Sequence, residues 1–180
     1  AFYGHPGVFA CVGHMAISKV KEMKLPAVME PGISSEDCLF ADLNIDPGFY
    51  GCTHFEASQF MIYKRKIDSS AYLILWQIGI AGDISLERYE TGPVYRKILI
   101  DKLLIHYPLC HQVILYEAPT LAINRYRAET ICLGDILNAE INAETTLVIP
   151  PSSQLDIDQL TVEKLKKISE QSNKINLVKN

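Results

Sequence analysis

The chain has 180 residues, of which 48% are hydrophobic, and its 17 basic and 21 acidic residues give a formal net charge of −4. This balance is typical of a globular chain with a sizeable core, and it argues against a general nucleic-acid binder, which would carry a basic stripe. No apolar run approaches the ~18 residues that a membrane span needs. We therefore expect neither nucleic acid nor a membrane as a partner.

The five cysteines form an odd set without a CxxC pair. Such usage is typical of a reduced, cytoplasmic protein and predicts neither a disulfide framework nor a zinc site. The five histidines include no cluster with metal-ligand spacing around His5, so we expect no metal centre.

The chain begins with two turns that contain glycine and proline. The first elbow is Tyr3-Gly4-His5-Pro6-Gly7-Val8-Phe9, which follows the end of a predicted strand at residues 1–3. A helical pattern then runs from Val8 to about Met23, and a short strand is predicted at residues 27–29. The second elbow, residues 30–35, follows with Glu30-Pro31-Gly32-Ile33-Ser34-Ser35.

Each elbow lies between an apolar run and a helical pattern, where glycine lets the backbone approach a ligand closely. Two such turns suggest a cofactor shelf at the carboxyl edge of a sheet. Gly4 and Gly7 could instead serve only as turn formers, the commoner use of glycine. We favour the close approach to a cofactor because the elbows occur as a pair.

The rest of the chain alternates between strands and helices. Ser34 is a predicted N-cap, followed by acidic residues in the first turn of a helix. The apolar run at residues 71–78 predicts a strand buried on both faces. The other predicted segments are a loop at 44–53, an apolar stretch at 60–63, a helix at 93–106, a strand at 112–116, a mixed segment at 125–132, a short helix at 134–139, a strand at 145–149 and a short helix at 160–168.

This order predicts an α/β architecture in which the second part carries a mixed sheet. The loop at 44–53 is a plausible domain boundary. We divide the chain into residues 1–48, the carboxyl-terminal part of a first Rossmann-like lobe, residues 49–151, a second α/β lobe, and residues 152–180, a helix and tail.

Four segments together resemble the tetrapyrrole methylase superfamily, and most closely its borosin branch of peptide backbone α-N-methyltransferases. They are the first elbow, the stretch from Pro31 to Leu43, Leu75-Trp76-Gln77-Ile78-Gly79 and Thr145-Thr146-Leu147-Val148-Ile149-Pro150-Pro151. The resemblance implies two α/β lobes with S-adenosylmethionine in the cleft between them, S-adenosylhomocysteine as the product, and a homodimer. It also implies a lobe start upstream of Ala1, so we expect the first lobe to be incomplete in this chain.

The resemblance assigns site residues position by position. It assigns Tyr3 to the reacting centre and to the cofactor. It also assigns cofactor contacts to His5, Val8, Ala10, Gln77, Ala118, Thr145 and Thr146.

The implied reaction is methylation of the backbone amides of a ribosomal precursor peptide. An amide nitrogen shares its lone pair with the carbonyl group, so its proton must be removed or the forming imidate stabilised. Tyr3 is the candidate for that task, as a base or as a group that orients the amide; alternatively it is only an aromatic residue at a strand end. The polar tail, which ends at Asn180, lacks a run of small apolar residues, so we expect the peptide to be a separate molecule.

Two other functions stay open. One is C-methylation of a tetrapyrrole, as in corrin or sirohaem biosynthesis, although an acidic chain with few arginines suits a polycarboxylate substrate poorly. The other is a methylase-like module that binds the cofactor without turnover. For Thr145 and Thr146, the high β propensity of threonine could alone explain why they stand at the start of a strand, without any contact to a cofactor.

Overall fold

The structure is a computed structural model that describes residues 4–85, 87–121 and 123–178, with side chains described as far as residue 170. The α helices of these residues are Cys11–Glu22 (α1), Ser35–Asp42 (α2), Pro47–Tyr50 (α3), Ala57–Ile62 (α4), Pro93–Leu103 (α5) and Gln159–Val178 (α6). The strands are Cys52–Glu56 (β1), Tyr72–Trp76 (β2), Gln112–Glu117 (β3), Arg127–Cys132 (β4) and Thr146–Ile149 (β5). Two 3₁₀ helices cover Ile78–Ile80 and Leu133–Asn138.

The five strands form one sheet in the order β1-β2-β5-β3-β4. β1 pairs with β2 in parallel, whereas the other pairs are antiparallel. As a result, the carboxyl ends of β1, β2 and β3 and the amino end of β5 lie at the same edge of the sheet. This mixed sheet confirms the predicted α/β class.

Side chains alternate between the two faces of the sheet, as the period of a strand requires. On one face, Leu73 and Leu75 of β2 belong to a large apolar cluster that includes residues of α4 and α5. On the other face, Ile74 and Trp76 pack with Leu39 of α2. β2 is therefore buried on both faces, as its uninterrupted apolar run predicts.

Three predicted boundaries near the amino terminus are wrong. The helix expected from Val8 begins only at Cys11, because Phe9 has a φ of 48°, which a right-handed helix excludes. Residues 27–29 do not form a strand, because no described strand pairs with them. The loop expected at residues 44–53 contains α3, which Pro47 starts and the Asp46 side chain caps, and it also contains the first residues of β1.

Later boundaries differ less. The mixed segment at 125–132 contains β4, the helix at 93–106 ends at Leu103, and the final helix is longer than predicted. The short helix predicted at 134–139 is present as the 3₁₀ helix Leu133–Asn138.

Candidate functional site

The first elbow is described from Gly4 onward, because Tyr3 and the predicted strand end lie outside the described residues. Gly4 has a φ of 74°, a left-handed conformation that glycine adopts without strain. The Nδ1 atom of His5 accepts a hydrogen bond from the Gly7 N–H group at 3.0 Å. The Nε2 atom of His14 in α1 lies 2.9 Å from the Gly7 carbonyl oxygen. These contacts fix the turn and the position of the His5 ring.

The second elbow leads into α2 through a capping box. The Ser34 hydroxyl accepts from the Asp37 N–H group at 3.2 Å, and the Asp37 carboxylate accepts from the Ser34 N–H group at 2.7 Å. The backbone bond from Ser34 lowers the pKa of Asp37 below its usual value, and the bond from the Ser34 hydroxyl adds to this effect. The predicted N-cap at Ser34 is confirmed.

The two elbows pack directly against each other. A Cβ atom at Gly32 would lie 2.6 Å from the Gly4 carbonyl oxygen, closer than real side chains allow. A Cβ atom at Gly7 would lie 2.6 Å from the Sδ atom of Met29, a flexible side chain that precedes the second elbow. Close backbone packing of the elbows therefore explains Gly32 but not Gly7. Of the two glycines expected to approach a cofactor, Gly4 lines a large cleft at the edge of the sheet and Gly7 does not.

The end of β2 forms the third part of the site. Gln77 has φ 59° and ψ 47°, the left-handed conformation that non-glycine residues rarely adopt. The next N–H group, of Ile78, donates to the Thr145 carbonyl oxygen at 3.0 Å. A Cβ atom at Gly79 would collide with the Asn142 carbonyl oxygen. The Gln77 turn is thus held closely against the residues that precede β5.

These parts enclose a cleft of about 710 Å³ at the edge of the sheet. Six residues that the resemblance assigns to the cofactor line this cleft: His5, Val8, Ala10, Gln77, Ala118 and Thr146. Residues from both elbows, β2, β3 and β5 therefore meet at one site. A smaller cavity of about 390 Å³ lies beside α1, has a mainly apolar lining and contains none of these six residues.

Thr145 does not line the cleft, in contrast to Thr146. It is fully buried, and its hydroxyl group donates to the Glu117 carboxylate at 2.6 Å and accepts from the Asn142 N–H group at 2.9 Å. The Arg127 guanidinium also donates to Glu117 at 2.7 Å. Burial alone would raise the pKa of Glu117, but the hydrogen bonds from Thr145, Asn142 and Arg127 hold it below its usual value. Thr145 thus supports the wall of the cleft from behind.

One wall of the cleft contains residues that the sequence did not assign to a site. The Phe9 ring lies 5.6 Å from the Trp76 ring and 5.4 Å from the His54 ring, measured between centroids. The Nδ1 atom of His54 lies 2.8 Å from a Glu36 carboxylate oxygen, close enough for an ion pair but without hydrogen-bond geometry. Phe9, Trp76 and Glu36 line the cleft, whereas His54 lies behind them.

The Nε1 atom of Trp76 is buried and has no hydrogen-bond partner within the described part of the chain. The side chain of Trp76 is 6% exposed, so this donor is also shielded from solvent. A buried unpaired donor costs about 1–3 kcal/mol, which makes it an exception in a folded protein. Trp76 directly precedes Gln77, and this position was the one sequence feature that could have identified it as a site residue. No sequence feature indicated His54.

The lining of the cleft is acidic. Glu36 and Glu144 line it, and the described lining residues include neither lysine nor arginine. Among the described residues, no group of three or more His, Cys, Asp or Glu side chains is arranged to hold a metal ion. All five cysteines are free. The search for a helix that could cross a membrane, limited to the described residues, found none.

Comparison with known proteins gives relatives of one kind. The chain is 37% identical over 163 residues to a methyltransferase/ribosomally synthesized type I borosin cyclic peptide precursor of Coprinopsis marcescibilis. This match covers 84% of the chain and 40% of the relative. A protein of the same description from Gymnopilus junonius is 35% identical over 170 residues, with 91% and 39% covered. The chain thus spans about two fifths of the length of these relatives. No family model matches the chain.

Solved structures share the fold at low sequence identity. Uroporphyrin-III C-methyltransferase from Thermus thermophilus matches with a TM-score of 0.57 and 14% identity, covering 82% of the chain and 61% of that protein. The same enzyme complexed with S-adenyl homocysteine matches with a TM-score of 0.53 and 15% identity, covering 82% and 62%. The fold is therefore that of the tetrapyrrole methylase superfamily, and the sequence relatives show that the chain belongs to its borosin methyltransferase branch.

Proposed function

We propose that this borosin-family chain is part of an enzyme that transfers methyl groups from S-adenosylmethionine to backbone amide nitrogens of a ribosomal precursor peptide. The observation that carries the proposal is the cleft, which is lined by six of the expected cofactor-contacting residues. The names of the relatives, which join a methyltransferase to a borosin peptide precursor, support the same reaction.

The described residues of the cleft fit the proposed cofactor. The cleft volume of about 710 Å³ lies within the usual range of small-molecule sites. The Glu36 carboxylate, with the Phe9 and Trp76 rings beside it in the lining, suits a ligand that has a positive charge. When bound, S-adenosylmethionine supplies an electrophilic methyl group on a cationic sulfur.

We propose that His5, Val8, Ala10, Gln77, Ala118 and Thr146 contact the cofactor. The Thr145 hydroxyl already donates to Glu117, so we propose that Thr145 acts indirectly. Its carbonyl oxygen accepts from the Ile78 N–H group and thereby holds the adjacent Gln77 beside Thr146. Tyr3, which directly precedes the cleft-lining Gly4, is the proposed group that orients the substrate amide or accepts its proton.

The acidic lining also separates this function from C-methylation of a tetrapyrrole. A polycarboxylate substrate is attracted by lysine and arginine, whereas the described lining residues carry Glu36 and Glu144. A backbone amide is uncharged and meets no such repulsion. The charge of the cleft therefore favours a peptide over a tetrapyrrole.

Further features complete the proposal. We propose a homodimer, supported by apolar side chains of α1 that are more than half exposed, such as Val12 at 60% and Met15 at 67%. A cytoplasmic location is supported by the five free cysteines. The division at residues 48 and 151 stays a prediction, as does the separate peptide substrate.

Tandem mass spectrometry tests the reaction directly. The full-length protein is incubated with S-adenosylmethionine and the peptide encoded beside its gene. Both the peptide and the enzyme chain are then analysed for methylation. We expect mass increases of one methylene group each, located on backbone nitrogens, and a large loss of rate in Tyr3→Phe. The control variant is Tyr89→Phe, because Tyr89 is 90% exposed. Methylation of a tetrapyrrole precursor but of no peptide would reverse the proposal, and cofactor binding without any product would favour a non-catalytic module.

A further inference from the structure

Three cleft-lining residues are not among the expected cofactor contacts. We call Phe9, Trp76 and Glu36 the cation wall; His54, which does not line the cleft, contacts Phe9 and Glu36. Phe9 lies between Val8 and Ala10 in the chain, and Trp76 directly precedes Gln77. Two members of the cation wall are therefore chain neighbours of proposed cofactor contacts.

Glu36 places a carboxylate in a partly desolvated position. Its side chain is 21% exposed, and the Nδ1 atom of His54 lies 2.8 Å from one of its carboxylate oxygens without hydrogen-bond geometry. Coulomb interactions strengthen as the local dielectric constant falls, so a carboxylate here acts on a bound charge more strongly than one in bulk water. The described residues lining the cleft include no lysine or arginine that could neutralise it.

Phe9 and Trp76 add aromatic rings next to this carboxylate. Phe9 is 51% exposed although its backbone has a φ of 48°, which is uncommon for a bulky residue. Such conformations persist where the surrounding structure holds them and occur often at ligand sites. The faces of aromatic rings carry negative potential and attract cations.

Trp76 is the most buried member of the cation wall. Its side chain is 6% exposed, compared with 21% for Glu36 and 51% for Phe9. The Phe9 ring packs against it, with 5.6 Å between the ring centroids, so the exposed ring of the wall rests on a buried one.

We infer that Phe9, Trp76 and Glu36 form the subsite for the cationic group of the ligand. This inference rests on the proposed function, in which that group is the sulfonium of S-adenosylmethionine. The cation wall then makes the site selective for the charged cofactor over its neutral thioether product, S-adenosylhomocysteine. This selectivity favours release of the product and entry of the next cofactor molecule.

Calorimetric titration of the full-length protein tests the inference without any turnover. Three ligands are compared: S-adenosylmethionine, its positively charged amine analogue sinefungin, and S-adenosylhomocysteine. The ratio of affinities for charged and neutral ligands is measured in the natural protein, in Glu36→Gln, in Phe9→Leu and in Glu144→Gln. Glu144→Gln is the matched control, because Glu144 also lines the cleft but does not belong to the cation wall.

We expect the natural protein to bind the charged ligands about tenfold more tightly, the combined effect of one charge interaction with Glu36 and one cation–π contact with Phe9. Glu36→Gln should lower this ratio about fivefold and Phe9→Leu about threefold, whereas the affinity for S-adenosylhomocysteine, which reports a folded site, stays within about twofold. Glu144→Gln should leave the ratio within about twofold.

An unchanged ratio in Glu36→Gln overturns the inference while leaving the proposed function intact. Equal losses in Glu36→Gln and Glu144→Gln also overturn it, because they would indicate a general field of the cleft rather than a subsite. Binding of none of the three ligands by the natural protein overturns the inference together with the proposed function.

Discussion

Replacing Thr145 with valine removes a buried hydroxyl group while keeping the shape of the side chain. The hydroxyl donates to the Glu117 carboxylate at 2.6 Å and accepts from the Asn142 N–H group at 2.9 Å. A hydrogen bond to a charged group contributes about 1.5–3 kcal/mol, and a neutral one about 0.5–1.5 kcal/mol. Because Thr145 is fully buried, water cannot replace either bond. We expect Thr145→Val to lower the free energy of unfolding by about 2–4 kcal/mol.

The matched variant is Thr146→Val, one residue along the chain. Thr146 is 3% exposed and lines the cleft, and its side chain makes no hydrogen bond with the described residues. We expect this variant to change the free energy of unfolding by less than about 1 kcal/mol but to weaken cofactor binding.

Equilibrium denaturation in urea measures both variants, with calorimetry for the cofactor. A loss of less than about 0.5 kcal/mol in Thr145→Val, or an equal loss in Thr146→Val, would refute the structural role of the Thr145 hydroxyl. A further check is acid sensitivity. The lowered pKa of Glu117 contributes stability that is present above its unfolded value and is lost as the pH falls through the folded value. In Thr145→Val the folded pKa should rise, so this loss should begin at a higher pH.

Three further predictions concern packing, capping and burial. Gly79→Ala should destabilise the protein by more than about 2 kcal/mol, because its Cβ would collide with backbone, whereas Gly92→Ala, with open space around it, should change stability by less than about 1 kcal/mol; thermal melts compare the two. Asp37→Asn should cost about 1 kcal/mol at neutral pH by weakening the capping box with Ser34. Because the pKa of Asp37 in the folded protein lies below its usual value of about 4, this difference should start to shrink below that value and disappear only as the pH falls through the lower folded pKa; denaturation at neutral and at acidic pH checks it. Tyr107→Phe should leave stability unchanged or raise it by up to about 1 kcal/mol, because the buried Tyr107 hydroxyl has no partner within the described residues; a fall of more than about 1 kcal/mol in a urea melt would contradict this.

Features that depend on local sequence could be predicted. The apolar run of β2 indicated a strand buried on both faces, and Ser34 with Asp37 indicated a helix start, because both signals arise within a few residues. The sequence predicts no strand at β1, whose first two residues fall in the expected loop at 44–53, because this segment becomes a strand only by pairing with β2, about 20 positions later. Such pairing is a tertiary effect, so the β propensity of the five residues cannot predict it.

The candidate site shows the same division. The motifs indicated which segments meet at the cleft, but the direction of individual side chains depends on strand register. Thr145 and Thr146 are adjacent, and a shift of one residue decides which hydroxyl lines the cleft. The pairing of Glu36 with His54 joins two segments through the fold, so no spacing rule could identify it. The left-handed backbone of Phe9 likewise interrupts the helical pattern that runs from Val8 to about Met23 in the sequence.

The central claim is that the cleft between the elbows and the end of β2 binds S-adenosylmethionine. A crystal structure of the full-length protein with S-adenosylhomocysteine tests it most directly. We predict density for the ligand in this cleft, with polar atoms within hydrogen-bond distance of Gln77 and Thr146 and the sulfur beside Phe9 and Glu36. Ligand density elsewhere on the protein, with this cleft empty, would contradict the claim.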